Sequence, residues 1–192
     1  MGMNNSRNFD LLTLGQVLLR LSPPDNERLS RGDTFVKQVG GAELNVAVGA
    51  ALLGLHTGVI SKLPAHDIGS FMKGKIRSFG VSDDFFMYDQ SPAARVGIYY
   101  YENGAYPRKP KVIYDRNHSS FFSLDIDEIP EEVYTASKCF HTTGITLALN
   151  EDIRETTIEM IKRFKAAGTL VSFDVNFRGN LWTGDQAREC IL

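Results

Sequence analysis

Cysteine is scarce in this sequence, with only Cys139 and Cys190 among 192 residues. The two cysteines lie far apart, and neither has a second candidate ligand at the spacing of a metal site. The sequence therefore indicates neither a disulfide framework nor a cysteine-based metal centre. The expected location is a reducing compartment, the cytoplasm.

Long hydrophobic runs and a charge excess of one sign are also missing. No apolar run is long enough to cross a bilayer, and the polar segment 1–8 lacks the apolar core of a signal peptide. The formal net charge is −2, which gives no electrostatic case for nucleic acid or a membrane surface as partner. We expect a soluble intracellular protein whose partners are small molecules.

Several catalytic signatures are absent as well. The sequence has no Gly-x-Ser-x-Gly, no Cys-x-x-Cys and no phosphate loop ending in Gly-Lys-Ser/Thr. Four histidines are present but show no metal-ligand spacing, so we interpret each as structural or exposed: His56, His66, His118 and His141.

An alternation of strands and helices dominates what the sequence does contain. Alternating or apolar runs predict strands at 9–14, 57–63, 138–141 and 169–175. Helical spacing and capping residues predict helices at about 42–53, and after Asp67, Asn150 and Thr183. This βαβ pattern predicts an α/β fold with a mostly parallel sheet and helices on its faces.

The middle of the chain departs from this alternation. Two β-rich runs, 95–102 and 111–116, are joined by a turn-rich loop and predict a hairpin. With extended segments within 16–39 they are expected to form a small second sheet. We therefore predict one partial α/β domain at 9–192, with lid strands inserted at about 16–39 and 95–116.

The stretch from Val39 to Ala51 opens with a glycine pair, Gly40-Gly41, in front of an apolar helix. Glycine lets a ligand approach the main chain, and the start of a helix points free N–H groups into the same space. Asn45, near the first turn, both donates and accepts hydrogen bonds. This combination suits a polyhydroxyl ligand; the alternative is a glycine turn before a buried helix, with Asn45 as a local cap.

Asp174, Asn176 and Arg178 follow one another at the end of the last predicted strand. Ligands of open α/β sheets bind outside the carboxyl ends of the strands. If the strand persists, alternation places all three side chains on one side, where they suit hydroxyls, ion-bound water and an anionic group. The alternative is a salt bridge between Asp174 and Arg178 that only closes the strand.

The predicted lid carries a third polar set, formed by Tyr99, Tyr114 and Arg116. Tyr114 and Arg116 are two residues apart and share a strand face. Tyrosine hydroxyls and a planar guanidinium suit a carboxylate joined to a sugar-like chain. The alternative is an aromatic cross-strand ladder with a solvated arginine.

At these residues the sequence resembles the ribokinase-like (PfkB-type) carbohydrate kinases. The run Gly40-Gly41-x-x-x-Asn45-Val46-Ala47 is similar to the first motif of that family. Similarity extends to Leu14-Gly15, Leu53-Gly54-Leu55, Asp67-Ile68-Gly69 and Phe79-Gly80-Val81. The branch it most resembles is that of the 2-keto-3-deoxygluconate kinases, through Gly97-Ile98-Tyr99, Tyr114-Asp115-Arg116, Asp174-Val175-Asn176-Phe177-Arg178 and Leu181-Trp182.

The resemblance implies a three-layer sandwich with a β lid, ATP and Mg²⁺ as cofactors, and a homo-oligomer formed through the lid. It implies that sugar hydroxyls are held by Gly40, Gly41 and Asn45. The keto-acid end would be held by Tyr99, Tyr114, Arg116 and Arg178. Arg20 stands where many neutral-sugar kinases carry an aspartate, and so fits an anionic sugar acid. The transferred phosphate and its metal would lie near Asp174 and Asn176.

One family feature is missing. The Gly-Ala-Gly-Asp-type motif, which supplies the catalytic base and much of the ATP site, does not occur before Leu192. The final predicted helix ends on Ile191-Leu192 without a capping residue or a following strand. We therefore expect a fold that lacks further βα units, with its catalytic aspartate beyond Leu192, and no turnover by this chain alone.

Three hypotheses follow. The complete protein is expected to phosphorylate the terminal hydroxyl of 2-keto-3-deoxygluconate with ATP. Another PfkB-type kinase, similar to fructokinase, is the second hypothesis. The third is a truncated, non-catalytic sugar-binding or dimerising domain.

Overall fold

Strands form two sheets in the computed structural model, which describes residues 7–192. The large sheet has the order β10-β9-β1-β4-β5, with β6 also beside β4, and its pairs are parallel. The small sheet has the order β3-β2-β7-β8. The strands are β1 (Phe9–Leu14), β2 (Leu18–Ser22), β3 (Val36–Gly40), β4 (Thr57–Pro64), β5 (Val81–Ser82), β6 (Phe86–Asp89), β7 (Gly97–Glu102), β8 (Lys111–Asp115), β9 (Ser137–Thr143) and β10 (Leu170–Asp174).

The helices are α1 (Ala42–Leu52), α2 (Asp67–Ser78), α3 (Gly144–Leu147), α4 (Glu151–Ala166) and α5 (Gly184–Ile191), with 3-10 turns at Ser120–Ser123, Ile126–Glu128 and Glu131–Thr135. The predicted caps Asn150 and Thr183 accept hydrogen bonds from the first turns of α4 and α5. The predicted cap Asp67 is wrong, because the imidazole of His66 accepts from the Gly69 N–H instead.

Helices cover both faces of the large sheet, which confirms the expected α/β fold with three layers. On one face, Leu12 and Phe140 pack against Met160 and Phe164 of α4. On the other face, Val59 packs in a second core with residues of α1 and α2: Leu44, Ala47, Met72 and Ile76. Burial of these apolar side chains is the main force that holds the layers together.

The small sheet confirms the predicted hairpin. Strands β7 and β8 pair antiparallel, with Tyr99 opposite Tyr114, whereas β2 and β7 pair parallel and bring Arg20 beside Tyr99. One face of the sheet joins the second core through Leu19, Val39 and Ile98. Side chains alternate along a strand, so Tyr99 and Tyr114 lie on the opposite face.

Short elements escaped the sequence prediction. Strand β5 has two residues and β6 has four, lengths too short for a period to be visible. The same holds for the 3-10 turns between 120 and 135. Within residues 7–192, no helix combines the length and apolar composition that a membrane span requires.

Candidate functional site

A cavity of about 210 Å³ lies between the start of α1 and the small sheet. A second cavity of about 250 Å³ adjoins it and shares the side chains of Tyr114, Arg116, Ile145 and Arg178. Most of the predicted site residues meet at the first cavity: Gly41, Asn45, Tyr99, Tyr114, Arg116 and Arg178. Residues from three separate stretches of the sequence therefore converge on one place.

Gly41 shapes the turn that leads into α1. Its φ of 150° lies in a region that residues with a side chain rarely adopt, and an added Cβ would lie 2.7 Å from the carbonyl oxygen of Gln16. A Cβ at Gly40 would likewise lie 2.4 Å from the Tyr99 hydroxyl. Position 41 therefore needs glycine for its backbone conformation, whereas a side chain at position 40 would displace the Tyr99 hydroxyl.

The start of α1 has a glycine, Gly41, as its N-cap residue. Within residues 7–192, no side chain accepts a hydrogen bond from the N–H groups of the first turn. The interpretation of Asn45 as a local cap is therefore wrong: its exposed side chain lines the cavity instead. Uncapped N–H groups at a helix start favour an anionic or hydroxyl-rich ligand.

The small sheet contributes an aromatic pair and a cation. The rings of Tyr99 and Tyr114 have centroids 6.0 Å apart, and Cζ of Arg116 lies 5.7 Å from the Tyr114 centroid. Burial raises the pKa of the Tyr99 phenol, which keeps its hydroxyl protonated and able to donate near neutral pH. The aromatic ladder of the alternative interpretation is present, but its arginine is partly buried rather than solvated.

Arg116 carries an uncompensated charge. Burial lowers the pKa of its guanidinium, whereas Tyr114 and Glu43 oppose that shift. Within residues 7–192, no carboxylate lies within ion-pair distance of Arg116. Arg178 lines the same cavity, and its Nη1 donates to the adjacent Phe177 carbonyl at 3.2 Å. Two guanidinium groups therefore face a space where an anion would lower the electrostatic cost of burial.

Glu43 is a cavity residue that the sequence analysis missed. Its side chain is only 2% exposed, and its Oε1 accepts from the hydroxyls of Thr143 at 2.6 Å and Thr146 at 2.8 Å. These bonds link the first turn of α1 to the end of β9 through Thr143 and to α3 through Thr146. The available signal was a charged residue placed directly after the glycine turn, on the inward side of an apolar helix.

Arg20 does not line this cavity. Although it lies beside Tyr99 in the sheet, its Nε donates to Ser22 Oγ at 2.9 Å and its guanidinium lies over the Tyr101 ring. It borders a different cavity, formed with the loop after β2. The structure thus gives the Arg20 side chain local partners rather than a place on this cavity.

Asp174 and Asn176 also lie outside the cavity. The strand does not persist as the prediction assumed: β10 ends at Asp174, and Asn176 has a φ of 37°. Asp174 Oδ1 accepts from the Asn176 N–H at 2.9 Å and closes a tight turn. The alternative ion pair between Asp174 and Arg178 is not formed within the described residues, so Arg178 alone reaches the cavity.

A metal site is not assembled by this part of the chain. Asp174 and Asn176 offer oxygen atoms of the kind that magnesium prefers. However, no group of three or more histidine, cysteine or acidic side chains gathers as potential ligands within residues 7–192. The cavity itself, with its two guanidinium groups and its helix start, fits binding of an anionic, hydroxyl-rich molecule.

Known proteins are similar to this chain in fold and sequence. A 2-dehydro-3-deoxygalactonokinase of Haloferax volcanii is 38% identical over 94% of this chain and 56% of its own length. The crystal structure of 2-dehydro-3-deoxygluconokinase from Thermotoga maritima superposes with a TM-score of 0.90 at 35% identity, over 95% of this chain and 56% of that one. Fructokinase from Xylella fastidiosa with bound ATP gives a TM-score of 0.77 at 26% identity, over 91% of this chain and 51% of that one.

This chain spans about half the length of the relatives it matches. The profile of the pfkB family carbohydrate kinases nevertheless matches residues 8–192, which is almost the whole sequence. The match includes the parallel sheet as well as the glycine turn and the small sheet, both of which line the cavity. The chain therefore belongs to the pfkB family of carbohydrate kinases.

Proposed function

We propose that this chain forms the sugar-acid-binding part of a kinase that uses ATP to phosphorylate the terminal hydroxyl of 2-dehydro-3-deoxygluconate, also called 2-keto-3-deoxygluconate. The observation that carries the proposal is the presence of Arg116 and Arg178 on the cavity that also contains the Gly41 turn. Relatives named for keto-deoxy sugar acids support the same substrate class.

Each part of the cavity has a role in this proposal. Arg116 and Arg178 bind the carboxylate, since a guanidinium offers paired donors to both oxygens. The Tyr99 and Tyr114 hydroxyls bind the keto-acid end beside it. The Gly40-Gly41 turn and Asn45 hold the hydroxyls of the chain, because backbone N–H groups donate and the amide both donates and accepts.

Phosphoryl transfer itself belongs to the complete protein in this proposal. Such a reaction depends on positioning and on charge stabilisation around ATP and Mg²⁺. Asp174 and Asn176 lie at the carboxyl edge of the sheet, which suits a place near the transferred phosphate. They do not constitute a metal site by themselves, so the catalytic base and most of the ATP contacts are proposed to come from residues beyond Leu192, and this chain alone is not expected to turn over.

The decisive experiment compares an acid with neutral sugars. We expect calorimetry on this chain to show tighter binding of 2-dehydro-3-deoxygluconate than of fructose. An ATP analogue should bind only weakly. A coupled ADP-release assay on the full gene product should favour the acid over ribose and fructose. Equal turnover of all three sugars would contradict the substrate assignment. Tight binding of ATP by this chain would contradict the proposal that most ATP contacts come from residues beyond Leu192.

A neutral-sugar kinase, similar to fructokinase, is the second candidate, because Arg20 turns away from the cavity and does not exclude a neutral diol. Arg178→Ala separates the two candidates, since its loss should weaken an acid far more than a neutral sugar. The third candidate, a non-catalytic sugar-binding domain, predicts that this chain binds sugar and that the full gene product does not release ADP.

Pairing of two copies through the small sheet is a further part of the proposal. The sheet and its loops expose several large apolar side chains: Phe35, Val36, Tyr106, Val112 and Ile113. Exposed apolar side chains of this number favour a protein partner, and we propose a second copy of this chain as that partner. The proposed location is the cytoplasm, where both cysteines stay unpaired. Sedimentation of wild type and of Ile113→Lys tests it: a dimer lost in the variant supports pairing, and a wild-type monomer contradicts it.

A further inference from the structure

Gln16 connects parts of the molecule that are distant in sequence. It lies in the link between β1 and β2, is only 3% exposed and borders the cavity. Its amide forms three hydrogen bonds to the segment that follows β8, about one hundred residues away in the chain. A buried amide whose donors and acceptor are all used is held in one orientation.

Two of the three bonds involve Arg116, and the third involves Ser119. Arg116 Nε donates to Gln16 Oε1 at 2.7 Å. In return, Gln16 Nε2 donates to the Arg116 carbonyl oxygen at 3.1 Å and to Ser119 Oγ at 2.6 Å. Gln16 therefore bonds to both the backbone and the side chain of Arg116. Its Nε2 is held in addition by the hydroxyl of Ser119.

This contact leaves the ligand-binding end of Arg116 free. A guanidinium has five N–H donors, of which Nε carries one and the two terminal nitrogens carry four. Within residues 7–192, the only protein hydrogen bond of the Arg116 side chain is the one from Nε to Gln16. Since Gln16 is neutral, it orients the guanidinium without neutralising it, and the terminal nitrogens keep their full charge for an incoming anion.

We propose that Gln16 is a positioning residue that holds the Arg116 guanidinium by its Nε and presents its two terminal nitrogens to the carboxylate of a sugar acid. This inference rests on the proposed function, which it deepens by naming what makes the cavity selective for an acid. Gln16 itself does not need to touch the ligand.

Gly97 leaves room for the contact between Gln16 and Arg116 because it has no side chain. A Cβ at position 97 would lie 2.7 Å from Gln16 Nε2 and 3.4 Å from Arg116 Cα, so any side chain there would displace the amide. The amide, the arginine and the glycine at the start of β7 therefore form one packed unit. Preorganisation of this kind improves affinity because the ligand does not have to order the side chain that binds it.

The first test observes the contact directly by nitrogen-15 NMR of this chain. The Nε–H signal of Arg116, assigned by its loss in Arg116→Lys, is expected to exchange slowly with water in the wild type. Gln16→Leu should make the signal exchange quickly or broaden away. Gln16→Glu retains an oxygen acceptor and should keep it protected. A protected signal in Gln16→Leu would overturn the proposal.

The second test measures selectivity by calorimetry with 2-dehydro-3-deoxygluconate and with fructose. Gln16→Leu is expected to weaken binding of the acid about tenfold, the equivalent of ordering one long side chain, and to change fructose binding less than twofold. Gln38→Leu is the matched control, because Gln38 lies on β3 of the same sheet but borders a different cavity. It should leave both affinities and the Arg116 signal as in the wild type.

The two tests separate the failure of each idea. If wild type binds no sugar acid but the Arg116 signal responds to Gln16→Leu, the proposed function fails while the contact stands. If wild type binds the acid and Gln16→Leu weakens both sugars equally, or neither, the positioning role is refuted. Urea unfolding of each variant, with Ser119→Ala as a milder disruption of the same contact, identifies effects that come from lost stability alone.

Discussion

The floor of the cavity and the loop after β10 carry the same kinds of side chain, yet the fold holds them differently. At the floor, Glu43 and Gln16 are buried and bond to partners about one hundred residues away. At the end of β10 and in the loop after it, Asp174 and Arg178 are exposed and bond to atoms within two residues. Long-range bonds between buried groups fix a shape before any ligand arrives, whereas local bonds at the surface leave a segment free to adapt.

The largest expected difference between these regions is in stability. Glu43→Ala leaves the Thr143 and Thr146 hydroxyls without their acceptor and opens a cavity, so we expect a loss of about 3 kcal/mol in the free energy of unfolding. The matched variant Asp174→Ala removes an exposed carboxylate and should cost about 0.5 kcal/mol. Urea unfolding measures both, and equal losses would remove the distinction.

The second contrast compares Gly41, before α1, with Gly179, in the loop after β10. Gly41→Ala forces a side chain into a φ of 150° and against the Gln16 carbonyl, which should destabilise the protein by about 2 kcal/mol. Gly179, in the loop after β10, has no contact closer than 3.7 Å for an added Cβ, and Gly179→Ala should change stability by less than about 0.5 kcal/mol. Thermal unfolding of the two variants checks this, and a neutral Gly41→Ala would show that the turn adapts.

Arg116 on the small sheet and Arg178 in the loop after β10 are expected to contribute differently to binding of a sugar acid. Arg116→Ala should weaken a sugar acid about a hundredfold and Arg178→Ala about tenfold, because a partly buried charge on a fixed side chain contributes more than an exposed one. Calorimetry with 2-dehydro-3-deoxygluconate measures the ratio. A larger loss for Arg178→Ala would mean that the loop, rather than the small sheet, anchors the carboxylate.

His141 lies between the two regions and gives the smallest predicted effect. Burial lowers the pKa of its imidazole, and the charges of Glu43 and Asp174 oppose that shift. A lowered pKa in the folded state means that the unfolded chain binds the proton more readily, so stability should be full above pH 6.5 and fall as the pH drops below it. Urea unfolding at pH 7.5 and 5.5 should show this loss.

Three variants test the origin of that pH dependence. His141→Gln should reduce it, and Glu43→Gln should steepen it more than Asp174→Asn does, because Glu43 is the stronger of the two opposing charges. An unchanged slope in His141→Gln would assign the pH dependence to other groups.

The secondary structure was largely predictable from the sequence. The strand at Phe9–Leu14, the helix from Ala42 and the hairpin of β7 and β8 follow from apolar periodicity and turn residues. The cap of α2 was not predictable, because both His66 and Asp67 can accept a hydrogen bond from the start of a helix. In the structure His66 does so. The run from Asp174 to Arg178 failed for a related reason: alternation assumes that a strand continues, and here Asn176 ends it with a left-handed backbone.

Periodicity and turn chemistry act over a few neighbouring residues, so the sequence alone was enough to predict the α/β alternation, the glycine turn and two arginines suited to an anion. Which polar groups meet depended on the tertiary structure: Glu43 meets Thr143 at the end of β9 and Thr146 in α3, and Gln16 meets Arg116. These contacts depend on strand order and register, which bring together residues up to about one hundred positions apart. No local pattern records which distant side chain will lie opposite a given one once the layers have packed.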